Sequence, residues 1–131
     1  MFTPAIECDA DVVYGSRFLG GRYIRLHFYW HYLANKILTN LTNIFTNLNM
    51  SDMETGYKLF KNSVIKSIKI EEKSFGIEPE ITIKLAKKKV IFYEVPISYN
   101  GRSYAEGKKI KLKDAFIGIL CIFKYFFKKN K

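Results

Sequence analysis

A chain of 131 residues with 48% apolar side chains is about one domain's worth of sequence and carries enough apolar mass for a core, which excludes a disordered polypeptide. Lys and Arg number 22 against 12 acids, a formal charge of +10, so an anionic partner is expected: nucleic acid, a membrane surface or a phosphorylated substrate. The two cysteines, Cys8 and Cys121, lie near opposite ends without clustered Cys/His spacing, which argues against a disulfide framework or a zinc site and suits a reducing cytosol.

The N-terminal "MFTPAIECDADVV" has neither the basic flank nor the apolar run of a secretion signal, and no stretch has the roughly eighteen continuous apolar residues of a membrane span. An integral membrane protein is therefore not expected. "ADVVYGSRF" reads as a short buried strand over residues 12–14 that turns at Gly15 and places Arg17 at the strand's C-terminal end, the edge at which open α/β sheets bind ligands. Residues 29–48 form the clearest helix: Trp30, Leu33, Ala34, Ile37, Leu38, Leu41, Ile44, Phe45 and Leu48 recur at three- and four-residue spacing. The opposite face, with Asn35, Lys36, Thr39, Asn40, Thr42, Asn43, Thr46 and Asn47, is polar but almost uncharged. It is expected to be solvated.

"MSDMETGYKLF" follows as a loop marked by Ser51, Asp52 and Gly56, then a short strand over residues 57–60. "KNSVIKSI" reads as a small helix. In "FGIEPEITIKLAKKK", Pro79 suits a first helical turn, with Glu78 and Glu80 toward the positive end of the helix dipole and residues 87–89 toward the negative end. "VIFYEVPISY", residues 90–99, is rich in β-branched and aromatic side chains, and Pro96 argues for an edge strand or a bulge. A basic loop, "NGRSYAEGKKIKLK", precedes an apolar segment over residues 115–127, for which Asp114 is the expected N-cap. That segment is too short to span a bilayer and fits a buried helix or one lying at a membrane surface. One α/β unit without repeats or linkers is expected.

Asp9-Ala10-Asp11 has the spacing of a metal–diphosphate site. Such a pair belongs at the end of a buried strand, with apolar residues before it, whereas here Val12-Val13-Tyr14 follow. Asp9 and Asp11 are therefore read as a decoy. Asp52 shares its loop with Glu54 and Gly56; on the residues alone it is a turn aspartate, with a general base or an outer ligand of a metal-bound phosphate as the alternative. Arg17, Arg102, Lys108 and Lys109 are candidate anion contacts against a background of ordinary surface charge. His27 and His31, one helical turn apart, have no third metal ligand in sight and are read as helix-face residues.

Four segments in order, "ADVVYGSRF", "SDMETGYKLF", "FGIEPEI" and "EVPISYNGRSYAEGKKI", together resemble the C-terminal half of glycosyltransferase family 2, in the branch of dolichyl-phosphate mannose synthase and bacterial polyprenyl-phosphate sugar transferases. The last segment is similar to the family's Arg-x-Tyr-Gly-Glu-Ser-Lys through Arg102, Tyr104, Glu106 and Lys108, and departs from it at Ala105 and Gly107. The resemblance implies the C-terminal part of a GT-A fold, an α/β sheet whose first half binds the nucleotide sugar and carries the metal-binding Asp-x-Asp before the segment resembling "ADVVYGSRF". It implies further that Arg17 contacts phosphate of donor or acceptor, that Asp52 lies at the reaction centre as base or organiser, and that Arg102 and Lys108 hold phosphate oxygens. Gly56-Tyr57-Lys58 stands where the family often has Gly-Phe-Arg, which removes a bidentate Arg contact.

On that resemblance the reaction is inverting transfer of a sugar from a nucleotide-sugar donor to a polyprenyl or dolichyl phosphate at the inner face of the membrane, with the terminal helix in peripheral contact with lipid. Mg or Mn is expected for the full-length enzyme and none for this chain alone. The donor-binding half is expected on another segment or polypeptide, or through a homo-oligomer, and the chain alone is expected to show no turnover. The alternative is a non-catalytic basic module that binds an anionic membrane or nucleic acid. Nucleic acid is the lesser of these, since no exposed face interleaves basic and aromatic residues and no recognition helix is apparent.

Overall fold

The computed structural model describes residues 1–21, 23–26, 28–100 and 112–128. Among them are a three-stranded sheet and five α-helices: α1 (Phe2–Glu7), β1 (Val12–Ser16), α2 (Tyr29–Thr46), β2 (Lys58–Phe60), α3 (Asn62–Lys66), α4 (Ile77–Lys87), β3 (Phe92–Pro96) and α5 (Leu112–Phe127). The sheet order is β2-β1-β3, with β2 antiparallel and β3 parallel to β1. As the middle strand, β1 is buried along its whole length, which is why its residues read as a short apolar run rather than an alternation.

Val12 and Tyr14 share one face of β1 and meet Ile81, Ile83 and Leu85 of α4, Ile122 and Tyr125 of α5, and Met50 and Met53 in a single core. The Tyr14 hydroxyl, 2.7 Å from Thr82 Oγ1, is satisfied inside that core. Burial pushes its ionisation well up, so it remains a neutral phenol. The helix α4 is buried nearly all round, from Pro79 to Ile83 and at Leu85. Its two first-turn acids act through specific partners: Glu78 pairs with Lys58, and fully buried Glu80 accepts from the Glu71 and Glu72 amides at 2.8 and 2.7 Å and from Lys84 at 2.5 Å. Lys87 Nζ donates to the carbonyls of Tyr125, Phe126 and Lys128, satisfying acceptors that the end of α5 leaves orphaned.

Several expectations are corrected. Residues 2–7 form a helix that no sequence signal indicated. The helix α2 stops at Thr46, where Asn47 takes a left-handed conformation with φ 56°. The strand expected over 90–99 is ordered as β3 only over Phe92–Pro96, an edge strand that ends on its proline. Asp114 lies inside the first turn of α5, which begins at Leu112, rather than at its N-cap.

The largest reversal concerns α2. Its buried residues are Leu38, Thr39 and Thr42, whereas Trp30 and Ile44 are about three-quarters exposed. Thr39 and Thr42 of the uncharged polar face pack inward while Asn40 and Asn47 stay exposed, and Trp30, Ile37 and Ile44 of the apolar stripe face outward although Leu38, Leu41, Phe45 and Leu48 meet the core. The reason lies in the loop after the helix, whose backbone groups need partners. Asn43 donates to the Met50 carbonyl at 2.8 Å and accepts from the Met50 amide at 3.0 Å; Thr39 Oγ1 accepts from the Met53 amide at 3.1 Å; Lys36 Nζ donates to the Ser51 carbonyl. A face of Asn and Thr supplies these hydrogen bonds without burying a charge.

Candidate functional site

The strands β1 and β3 run parallel, so their carboxyl ends, at Ser16 and Pro96, open on the same edge. Arg17 follows β1 directly. Its guanidinium donates from Nε to Asp52 Oδ2 at 2.7 Å and from Nη2 to Oδ1 at 2.6 Å, and its backbone amide reaches Oδ2 at 3.0 Å. This is a fork-to-carboxylate pair with a backbone contact added, the most directional form of ion pair available to a protein. Asp52 is wholly buried and Arg17 nearly so, with side-chain exposures of 0% and 15%. Tyr99 also hydrogen-bonds Arg17, and its ring lies 5.4 Å beneath the guanidinium carbon.

The loop that carries Asp52 is fastened from three sides. From β3, the Glu94 carboxylate accepts from the Ser51 amide at 3.0 Å, the Ser51 hydroxyl at 2.9 Å and the Asp52 amide at 3.0 Å. From α2 come the contacts described above, with Asn35 Nδ2 3.4 Å from Asp52 Oδ1. From β1, Ser16 Oγ bonds Ser51 Oγ, and the Gly15 carbonyl accepts from Thr55 Oγ1 at 2.6 Å. Lys58 Nζ closes the far end on the carbonyls of Met53 and Thr55 and on Glu78. A carboxylate held this way has little freedom to turn, and its oxygens are committed to Arg17 and Asn35.

Beside the pair lies a cavity of about 120 Å³, walled by Phe18, His31, Tyr32, Asn35, Leu38, Phe75 and Asp114 as well as Arg17 and Glu54. That is room for several waters or one small head group. Glu54 Oε1 is buried there without a hydrogen-bond partner. Burial, helped by the neighbouring negative charge of Glu78, raises its carboxyl from the ordinary 4.5 to about 7, while Lys58 and Arg17 pull the other way.

Of the residues singled out in the sequence, Arg17 and Asp52 are therefore in direct contact. Arg102, Lys108, Lys109, Tyr104, Glu106 and His27 lie outside the described residues. Asp9 and Asp11 sit at the opposite end of the five-residue strand β1, with Asp11 about 20 Å from Arg17 at strand rise. Both ion-pair with Lys61, and Asp11 also accepts from the Ile91 amide at 2.8 Å; that amide contact, then Lys61, holds the Asp11 carboxyl below its usual range. Among the described residues no group of three or more His, Cys, Asp or Glu could hold a metal ion. His31 lines the cavity wall from the first turn of α2.

Sequence reasoning missed Glu94, Asn35 and Thr39. The signal for α2 was present in the row of uncharged polar residues, which a solvated helix rarely shows. Glu94 sits in an apolar strand, where a lone carboxylate calls for a buried donor set. No family model matches the chain, and no solved structure matches it.

Proposed function

We propose that this chain is the acceptor-side part of an inverting glycosyltransferase of the family 2, GT-A type, receiving a sugar on a lipid phosphate at a membrane surface. The observation that carries the reading is the Arg17–Asp52 pair, fixed at the carboxyl edge of two parallel strands and opening on a cavity. Ligands of open α/β sheets bind at that edge. Arg17 has five N–H donors, of which Asp52 takes two through the side chain. Those engaged by neither Asp52 nor Tyr99 are the donors proposed for a phosphate oxygen, with Arg102 and Lys108 joining them.

In the reaction, an oxygen of the acceptor phosphate attacks the anomeric carbon from the face opposite the nucleotide. The bond from that carbon to the diphosphate breaks, and the diphosphate departs with the electron pair. The acceptor is already an anion and needs no base, so Asp52 acts by orienting Arg17 rather than by taking a proton. Mg or Mn supplies charge neutralisation of the leaving diphosphate in enzymes of this type. Asp9 and Asp11, engaged with Lys61, do not fit that task, and the metal and the nucleotide are assigned to a donor-binding half beyond these residues.

The membrane side of the reading is supported by an exposed apolar row on α5, in which Phe116, Leu120 and Phe127 are each about two-thirds exposed or more. Lys124 and Lys128, each about half exposed and ion-paired with Glu72 and Glu71 respectively, stand beside it. Trp30, Ile37 and Ile44 of α2 add to the exposed apolar surface. No helix among the described residues is long and apolar enough to cross a membrane. A helix with this composition binds in the plane of an interface, where anionic lipid attracts the lysines.

The test is flotation with vesicles of neutral lipid, of neutral lipid plus anionic lipid, and of neutral lipid plus a polyprenyl phosphate at matched surface charge. The reading expects the polyprenyl phosphate to bind more strongly than its charge alone explains, with the excess lost in Arg17→Met. Equal binding to the two charged vesicles would leave only a basic membrane-binding module.

A further inference from the structure

Glu54 lies between two ion pairs and belongs to neither. Its Oε1 is shielded from solvent and has no hydrogen-bond partner. Of the two cations near it, Arg17 after β1 is committed to Asp52 of the adjoining loop, and Lys58 of β2 is committed to Glu78 of α4. Lys58 Nζ also donates to the carbonyls of Met53 and Thr55, the residues on either side of Glu54, so the backbone that carries this carboxyl is held in place. Tyr14 of β1 and Cys121 of α5 lie within reach of its charge. His31 and Tyr32 of α2 and Asp114 of α5 line the cavity that Glu54 shares with Arg17.

We propose that Glu54 is a proton-operated control on anion binding at Arg17: protonated, it leaves its side of the cavity uncharged, and ionised, it sets an uncompensated negative charge against an anion beside Arg17. The count of charges gives the direction. Arg17 offsets Asp52 and Lys58 offsets Glu78, so the cluster is neutral with the Glu54 proton on and carries one net negative charge with it off. The effect acts through space and needs no contact between Glu54 and the ligand, because a buried charge is screened far less than one in water. Glu54 exchanges its proton at about 7, so anion binding is strongest below neutrality and weakens as the pH rises. Coupling is reciprocal: an anion that favours the protonated form makes Glu54 hold its proton more tightly. The inference deepens the reading of Arg17 as a phosphate donor, and rests on it, by adding the regulation of that site.

The experiment is a titration of the full chain with sulfate, which keeps both negative charges over the range used, at pH 6 and pH 8 and constant ionic strength. The Arg17 Nε–Hε signal and the Glu54 side-chain carboxyl carbon are followed by NMR. One unit charge nearby, at an effective dielectric constant of about 20, changes anion affinity by about tenfold. With a midpoint of about 7, this reads as an affinity about fivefold weaker at pH 8 than at pH 6. By the same coupling, saturating sulfate is expected to raise the Glu54 midpoint by about one pH unit. Glu54→Gln is expected to lose the fivefold difference, while any contribution of His31 is common to both proteins and cancels. Equal pH dependence in the parent and Glu54→Gln, a Glu54 midpoint unmoved by sulfate, or no saturable shift at Arg17 overturns the proposal. A chain that prefers polyprenyl phosphate in the flotation test but shows any of these results loses this inference alone. One that shows the proton-linked sulfate binding but no polyprenyl phosphate preference keeps the inference and loses the transferase reading.

Discussion

Replacing Glu54 with Gln changes how the protein's stability depends on pH, and the sign follows from its surroundings. In the folded chain the carboxyl holds its proton up to about 7, against an ordinary 4.5, chiefly through burial. Between those two values the unfolded chain has given up a proton that the folded chain keeps, so unfolding releases a proton and stability falls as pH rises. Glu54 is thus least costly below 4.5, and its full cost is reached once the pH passes about 7. At 1.36 kcal/mol for each unit of pKa, the cost accumulated between pH 5 and pH 8 is about 2 to 3 kcal/mol. Gln does not ionise, so Glu54→Gln gains on the parent by roughly that amount over the interval. Asp11, Glu71 and Glu72, whose ionisation is shifted the opposite way, titrate alike in both proteins and cancel in the comparison. Urea unfolding of the two proteins at pH 5, 6, 7 and 8, followed by circular dichroism, gives the difference directly. A difference that stays level across the four pH values refutes the argument that the cavity wall shields this carboxyl from water.

Asp52→Ala leaves the Arg17 guanidinium nearly buried without its counter-ion and is expected to cost about 2 to 4 kcal/mol in urea unfolding; adding Arg17→Met should recover part of that loss, giving a coupling of about 1 kcal/mol or more in the double-mutant cycle. Glu94→Gln should lower stability by about 1 to 3 kcal/mol, because the Ser51 and Asp52 amides lose a carboxylate acceptor. Its specific signature is faster amide exchange at Ser51 and Asp52, with Ile83 and Ile122 unchanged. In Gly15→Ala the new methyl would lie 2.7 Å from Ile97 Cγ2 and 3.1 Å from Tyr57 Cβ, so a loss of about 1 to 3 kcal/mol is expected from overpacking beside the site.

The elements with a strong local cause were legible in the sequence. The apolar run of β1, the edge position of the strand that carries Pro96, and the long periodicity of α2 were read from the sequence, although that strand ends at Pro96 rather than at residue 99. Which face of α2 turns inward was not legible, because the deciding factor is the loop at residues 50–53, whose amides and carbonyls Asn43 and Thr39 must satisfy. Periodicity reports that a helix has two faces and cannot report that a distant loop needs hydrogen bonds. The pairing of Arg17 with Asp52 spans 35 residues, and only the resemblance to a known family gave reason to consider the two together. Glu54 was noticed merely as Asp52's neighbour, since burial of one carboxylate oxygen is a property of the packed cavity. Arg102 and Lys108, which the same resemblance assigns to phosphate, lie outside the described residues.

The account depends most on whether a phosphate-bearing acceptor enters the cavity beside Arg17. Titration of the chain with a short-chain, soluble polyprenyl phosphate, followed by amide shifts across the whole protein, tests this directly. Saturable shifts grouped at Arg17, Phe18, Tyr32, Asn35 and Asp52, and abolished in Arg17→Met, are the predicted result. Shifts spread over the lysines of α5 with the cavity residues unmoved, or persisting in Arg17→Met, would contradict it.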